Sequence, residues 1–190
     1  MTFNLPQYTT DNITFGPAIV RLGPVGTTPT ADVGAIEGNV EVVVTKEVLE
    51  VFQGSPQVLI IQYVTVQGLT VRFTALEALG KLSVLRYALG AGEYSGTPGV
   101  GVETLDFGGD VNMAELAAQI FHQMPNGTSI FFNVWRAQGR ADTTVTFNKT
   151  GISGTPIELQ ALDGQTDFTG TAIPTTSKGR IFRLVKKNAP

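Results

Sequence analysis

Residues 58–75 read VLIIQYVTVQGLTVRFTA and predict one long β-strand. Val64 and Val66 alternate with Thr65 and Gln67, the period of two expected of a strand with one buried face. After Gly68 the alternation resumes one residue out of step, with Leu69, Val71 and Phe73 set against Thr70, Arg72 and Thr74. A phase shift at a glycine predicts a β-bulge. Unbroken, the strand spans roughly 55–60 Å at about 3.3 Å per residue, where strands of about five or six residues are usual. All of its backbone donors and acceptors need partners, which a single compact subunit seldom supplies along such a length. Part of this strand is therefore predicted to be completed by a neighbouring chain.

Residues 35–48 predict a second long strand. Val40, Val42 and Val44 form one face, and Glu37, Asn39, Glu41, Val43 and Thr45 the other. Residues 47–57, beginning EVLEVFQGSP, read as a connection, so that the two strands make an extended antiparallel hairpin with a protruding loop. The loop carries Val48, Leu49, Val51 and Phe52, unusually apolar for a loop, followed by Gln53. It either folds back on its own core or docks against another subunit.

A flanking helix is predicted over 74–90. Thr74 and Glu77 have the spacing of a capping box, and Leu76, Leu79, Leu82, Leu85 and Leu89 fall on one side. Glu77 and Lys81 form an i,i+4 pair, and Gly90 and Gly92 end the helix. Residues 92–102 are glycine-rich and read as a flexible loop, followed by a short strand over 103–107. Residues 114–124 fit either helix or strand. The turn Pro125, Asn126, Gly127 pairs them, if strand, with 129–137, which are apolar on both faces. Further strands are predicted over 15–23, 143–148, 157–162 and 179–187, with 163–178 as a loop. Residues 1–14 read as an N-terminal arm. The expectation is a single domain, mainly β: a sandwich or barrel of seven to nine strands with one flanking α-helix.

Composition sharpens this picture. Charged residues are only 15% of the 190, which suggests a surface not wholly left to water. The net charge of −3 argues against general nucleic-acid binding, which needs a basic surface to displace counterions. Without cysteine there are no disulfides, thiolate metal sites or cysteine nucleophiles. No apolar run approaches the roughly 20 residues of a membrane span, and the N-terminus lacks the pattern of a signal peptide. A cytoplasmic site of synthesis is expected.

Little in the chain suggests catalysis. His122 is the only histidine and lies in an apolar stretch, so it reads as a core or interface residue. Asp106 and Asp110 are too few for a calcium loop. Gly96, Gly99 and Gly101 do not precede a helix as in a dinucleotide loop, and Gly80 and Lys81 lack the Walker spacing. The expectation is a protein that is not an enzyme and uses neither metal nor cofactor.

Taken in order, several segments resemble the major tail tube proteins of long-tailed bacteriophages. Residues 11–26 (DNITFGPAIVRLGPVG) look like that family's opening strand. Residues 37–57 look like its next strand and long loop, with the run K-E-x-x-E-V-x-Q-G-S-P. Residues 74–92 look like its capped helix. PNGTSIFFNVWRAQG at 125–139 and PIELQALD at 156–163 look like its C-terminal strands. Residues 92–110 depart from the pattern.

The resemblance implies a subunit whose long β-hairpin completes an inter-subunit barrel. Six copies would close into a ring, and rings would stack into a tube through which DNA leaves at ejection without specific binding. The implied partners are further copies of the chain, a tape-measure protein and a tail terminator. The implied location is the virion tail, assembled in the host cytoplasm. Glu37, Asn39, Glu41, Thr65 and Gln67 are then expected to face the lumen, where an acidic or neutral lining lets a polyanion slide. Val48, Leu49, Val51, Phe52 and Gln53 are expected at the contact between subunits or rings. Two other classes fit less well: another ring- or tube-forming assembly protein, such as a secretion-tube or capsid-decoration protein, and a carbohydrate-binding β-sandwich.

Overall fold

The computed structural model describes residues 18–97, 99–108, 113–140, 144, 153–174 and 180–188. The expected N-terminal arm, and all of the strand expected over 143–148 except Thr144, lie outside them. Among the described residues, ten strands and one α-helix follow in chain order. They are β1 (Ala18–Gly23), β2 (Ala31–Asp32), β3 (Ile36–Gln53), β4 (Val58–Ala75), α1 (Leu82–Leu89), β5 (Glu93–Thr97), β6 (Val100–Asp106), β7 (Glu115–Gln123), β8 (Ser129–Gly139), β9 (Thr155–Ala161) and β10 (Phe182–Lys187). The fold is mainly β and antiparallel, sandwich-like, with one flanking helix.

Eight strands form one sheet in the order β2-β1-β7-β8-β9-β4-β3, with β10 also paired to β8. Strand β8 organises the curl of this sheet. Its first half, up to Val134, pairs with β10, and its last residues, Ala137 to Gly139, pair with β9. Between them the register against β7 slips, from Leu116↔Ala137 to Ala118↔Val134. The extra residue bends β8 where it changes partner, as bulges do. The two halves of the sheet thereby share one core. Val20 and Leu22 of β1 and Leu116 and Ala118 of β7 join Leu69 and Val71 of β4 and Ile157 and Leu159 of β9. In β4 and β9 the inward residues are those the alternation predicted: Leu69, Val71 and Phe73, and Ile157, Leu159 and Ala161.

The helix is shorter and starts later than its sequence signals predict. Thr74 and Ala75 are the last residues of β4, paired with Pro156 and Thr155 of β9. The chain then makes a 3-10 turn at Ala78–Gly80, and α1 begins only at Leu82 with no side-chain cap. Pairing on both edges of β4 outweighs a local capping signal, which offers only about 1 kcal/mol. Glu77 instead holds the helix approach to the β2–β3 connection. Its carboxylate accepts from the Ala35 N–H at 3.1 Å and pairs with Lys81 at 2.8 Å. The Lys81 contact, helped by the Ala35 N–H, holds the Glu77 carboxyl below its ordinary range. Val84, Leu85 and Ala88 are the buried face of α1 rather than the leucine stripe alone, and Gly90 closes the helix in the left-handed conformation. The last carbonyls of α1 lie directly over Gly139: a Cβ there would meet the Ala88 oxygen at 2.8 Å and that of Tyr87 at 3.1 Å.

Two other expectations change, and one open alternative is decided. Residues 92–102 belong largely to β5 and β6, a separate two-stranded hairpin, because their glycines sit in the turn and its irregular register rather than dissolving the strands. Residues 114–124 resolve as strand, paired on both sides by β1 and β8. The β3–β4 ladder runs evenly through Gly68, which pairs with Thr45. The register slips elsewhere in that ladder, between Glu37 and Glu41, between Glu47 and Val48, and between Val51 and Phe52. A Cβ at Gly68 would meet the Thr45 hydroxyl at 2.7 Å, so a larger residue there requires that exposed side chain to turn aside.

An ion pair braces the β7–β8 side. Arg136 donates two hydrogen bonds to the Glu115 carboxylate, the Nε bond at 2.7 Å. The Arg136 guanidinium holds the Glu115 carboxyl below its ordinary range, against the opposing effect of partial burial. A depressed carboxyl contributes stability that is fully present above its unfolded-state pKa of about 4.3 and is lost as pH falls through the lower folded value. Glu115→Gln is therefore expected to lower the urea midpoint at pH 7, with the gap to the wild type closing toward pH 3. A gap that stays constant over this range would show that the pair contributes nothing through ionisation.

Candidate assembly surface

The chemistry-bearing part of this molecule is a surface, and strand pairing creates it. Strand β9 pairs with β4 only between Thr70 and Ala75. Among the described residues, β4 before Thr70 has β3 as its sole partner and β3 has no strand on its other edge. The part of the hairpin from Val43 to Val66 is thus a two-stranded ribbon with both edges open. It leaves the sandwich for about 35 Å at about 3.3 Å per residue. Strand β3 runs to Gln53, so the expected loop over 47–57 is strand for most of its length, with a turn only at 54–57. Val48, Leu49, Val51 and Phe52 do not alternate, yet the ladder continues through two register slips because β4 offers them Val64, Tyr63, Ile61 and Leu59 as partners.

The arm is apolar on both sides. Thirteen large hydrophobic residues between Val43 and Val66 are 36–62% exposed. Scattered apolar residues are normal on a surface, but a contiguous set on this scale marks a contact site. Val48, Leu49, Val51 and Phe52 all belong to it, and Gln53 is also exposed. The sequence pattern missed the other strand. Val64 and Val66 read as a buried face, yet they and Val58, Leu59, Ile60, Ile61 and Tyr63 stand in the open.

Register separates the two faces of the arm. Val43, Glu47, Leu49 and Val51 lie opposite Thr70, Val66, Tyr63 and Ile61 on one face. Val44, Lys46, Val48 and Glu50 lie opposite Leu69, Gln67, Val64 and Gln62 on the other. Toward the tip the first face is the more apolar, with Glu47 as its charged residue. The second is mixed, and Gln62 donates to Glu50 at 2.7 Å across it.

At the base of the arm, Glu37, Asn39 and Glu41 come together around an open recess of about 360 Å³ that Arg72 and Glu158 also line. Arg72 donates to Glu158 at 2.8 Å, which raises the guanidinium pKa further and leaves Glu37 and Glu41 as the exposed acidic groups. Gln67 does not join them. It pairs with Lys46, on the side of the hairpin that carries Leu69 and Val71. Thr65 is the extra residue where the register slips between Val66 and Val64, and its hydroxyl donates to the Glu47 carbonyl at 3.2 Å. The five residues expected on one face are therefore divided. The expectation placed the phase shift at Gly68, and moving it to Thr65 sends Gln67 to the other side.

Trp135 is only 4% exposed, edge-on to Phe168 at 4.6 Å and beneath the Arg183 guanidinium. It belongs to the packing between β8 and the loop before β10, and a sugar has no access to its face. Among the described residues no helix is long and apolar enough to cross a membrane. Comparison with known protein families and with curated protein sequences finds no match to this chain.

Proposed function

We propose that this protein is a structural subunit of a long-tailed bacteriophage tail tube, built of stacked rings that serve as the conduit for DNA ejection. The single observation that carries the reading is the arm. An isolated two-stranded ribbon is marginal in water, and open apolar edges invite further strands. A chain that keeps such an arm has a use for it once neighbours cover it. Contacts of a projecting arm with a different surface of the next copy are heterologous, and such contacts close into rings or repeat along an axis. The ring of six, the tape-measure and terminator partners and the virion location come from the sequence resemblance alone.

In this reading the arm joins copies, and the Glu37, Asn39 and Glu41 surface faces the lumen. Six copies carry about −18 per ring, which repels a polyanion rather than holding it. Electron microscopy of the purified protein over a concentration series tests the proposal. Tubes of stacked rings are expected. Rings that never stack would favour an assembly module of another kind, and a monomer at every concentration would overturn the reading.

The lumen assignment has its own test. Glu37→Lys with Glu41→Lys adds four charges per copy and turns the ring from about −18 to about +6. DNA release from assembled particles is expected to slow markedly, most at low salt, where screening is least. Release at the wild-type rate would remove these residues from the lumen.

A further inference from the structure

The arm has an apolar face to bury, and the same chain carries a second surface suited to receive it. Strands β1, β7, β8 and β10 lie side by side, and their register aligns one cross-strand row: Ile19↔Phe121↔Phe131↔Val185. This row is on the side of the sheet opposite Val20 and Ile120, whose side chains enter the core. Ile19 is 37% exposed, and the other three are half-buried. Phe121 and Phe131 pack with ring centroids 5.0 Å apart, which makes the middle of the row a firm aromatic platform.

Cations flank the platform. The row on one side is Arg21↔Gln119↔Asn133↔Arg183. On the other, Lys187 lies over the Phe131 ring at 5.1 Å. Arg21 and Lys187 are exposed and in no ion pair among the described residues, whereas Arg183, also exposed, lies over Trp135 and near Asp167. The more apolar face of the arm, Leu49, Val51, Ile61, Tyr63 and Val66, has one charged residue, the carboxylate of Glu47.

We infer that this face of the arm packs on the Ile19–Phe121–Phe131–Val185 row of a second copy of the chain, with Glu47 meeting the cations at its border. Apolar side chains from both sheets then interdigitate across about 10 Å, as in face-to-face sheet packing. The charges select the orientation more than they add affinity. The inference rests on the proposed self-assembly and specifies which two surfaces meet.

The chain has no cysteine, so introduced pairs report contacts without background. Val51→Cys with Ile19→Cys is expected to give a ladder of covalent multimers on mild oxidation of assembled protein. Val51→Cys with Val102→Cys, which places the second thiol on the exposed β6, is expected to give none. The charge pair supplies a second reading from exposed residues. Glu47→Lys is expected to raise the concentration needed for assembly by about tenfold, and Lys187→Glu or Arg21→Glu in the same chain to recover it. Assemblies that form normally but cross-link only through Val102, or that no charge exchange restores, would overturn this contact and leave the proposed function standing. A wild-type chain that never assembles would remove both.

Discussion

Ile61→Asp is expected to fold like the wild type and to form no assemblies. Ile61 lies on the ribbon beyond the reach of β9, opposite Val51 on β3, and is well exposed in the isolated subunit. A carboxylate there stays in water while the chain is alone, so the cost to folding is within about 0.5 kcal/mol, as for ordinary surface changes. Once a neighbour covers the arm, the same carboxylate is taken out of water without a partner and costs several kcal/mol per copy. In a repeating assembly that penalty recurs at every contact. Phe52→Asp, near the turn, is expected to act the same way. Thermal unfolding should therefore be nearly unchanged in both variants, while sedimentation and electron microscopy show subunits only. Normal assembly by Ile61→Asp would show that the arm remains in water and would take away the main support for the proposed function.

Leu69→Ala is expected to cost about 2–5 kcal/mol of folding stability, whereas Val66→Ala, three residues earlier on the same strand, should change it by less than about 0.5 kcal/mol. Leu69 is fully buried in the shared core with Val71 and Leu159. Its truncation removes apolar contact and leaves a cavity that the flanking strands cannot close. Among the described residues Val66 has only the other strand of the ribbon beside it, and it is about half exposed. Urea unfolding of the two variants measures this boundary directly. Equal losses would mean that the ribbon is packed against its own subunit in solution, and that its exposure disappears without any second copy.

Both results turn on one boundary within β4, at Thr70. Period-two alternation runs through 58–75, and it correctly announced a strand with both of its bounds. It could not say that another layer covers Leu69, Val71 and Phe73 but that no described residue does the same for Val58 to Val66. Hydrophobicity even points the wrong way, with seven apolar residues of nine over 58–66 and four of nine over 67–75. The difference is made by β9, which is about 80 residues further along the chain and pairs only as far as Thr70.

The rest divides in the same way. Local pattern was sufficient for the mainly β class, the two long strands, the turn at Pro125 to Gly127 and the inward residues of β9, because backbone periodicity and turn chemistry act over a few neighbouring residues. Where α1 begins, that Glu77 serves the Ala35 N–H instead of a helix cap, and that Gln67 leaves the company of Glu41 were decided by pairing between distant segments. A strand's register is a choice among partners, and a slip of one residue sends every following side chain to the opposite face. The sequence alone therefore determined that a long apolar hairpin exists; only the tertiary structure decided that it stands away from the core as an arm, because β9 ends and no other described strand takes its place.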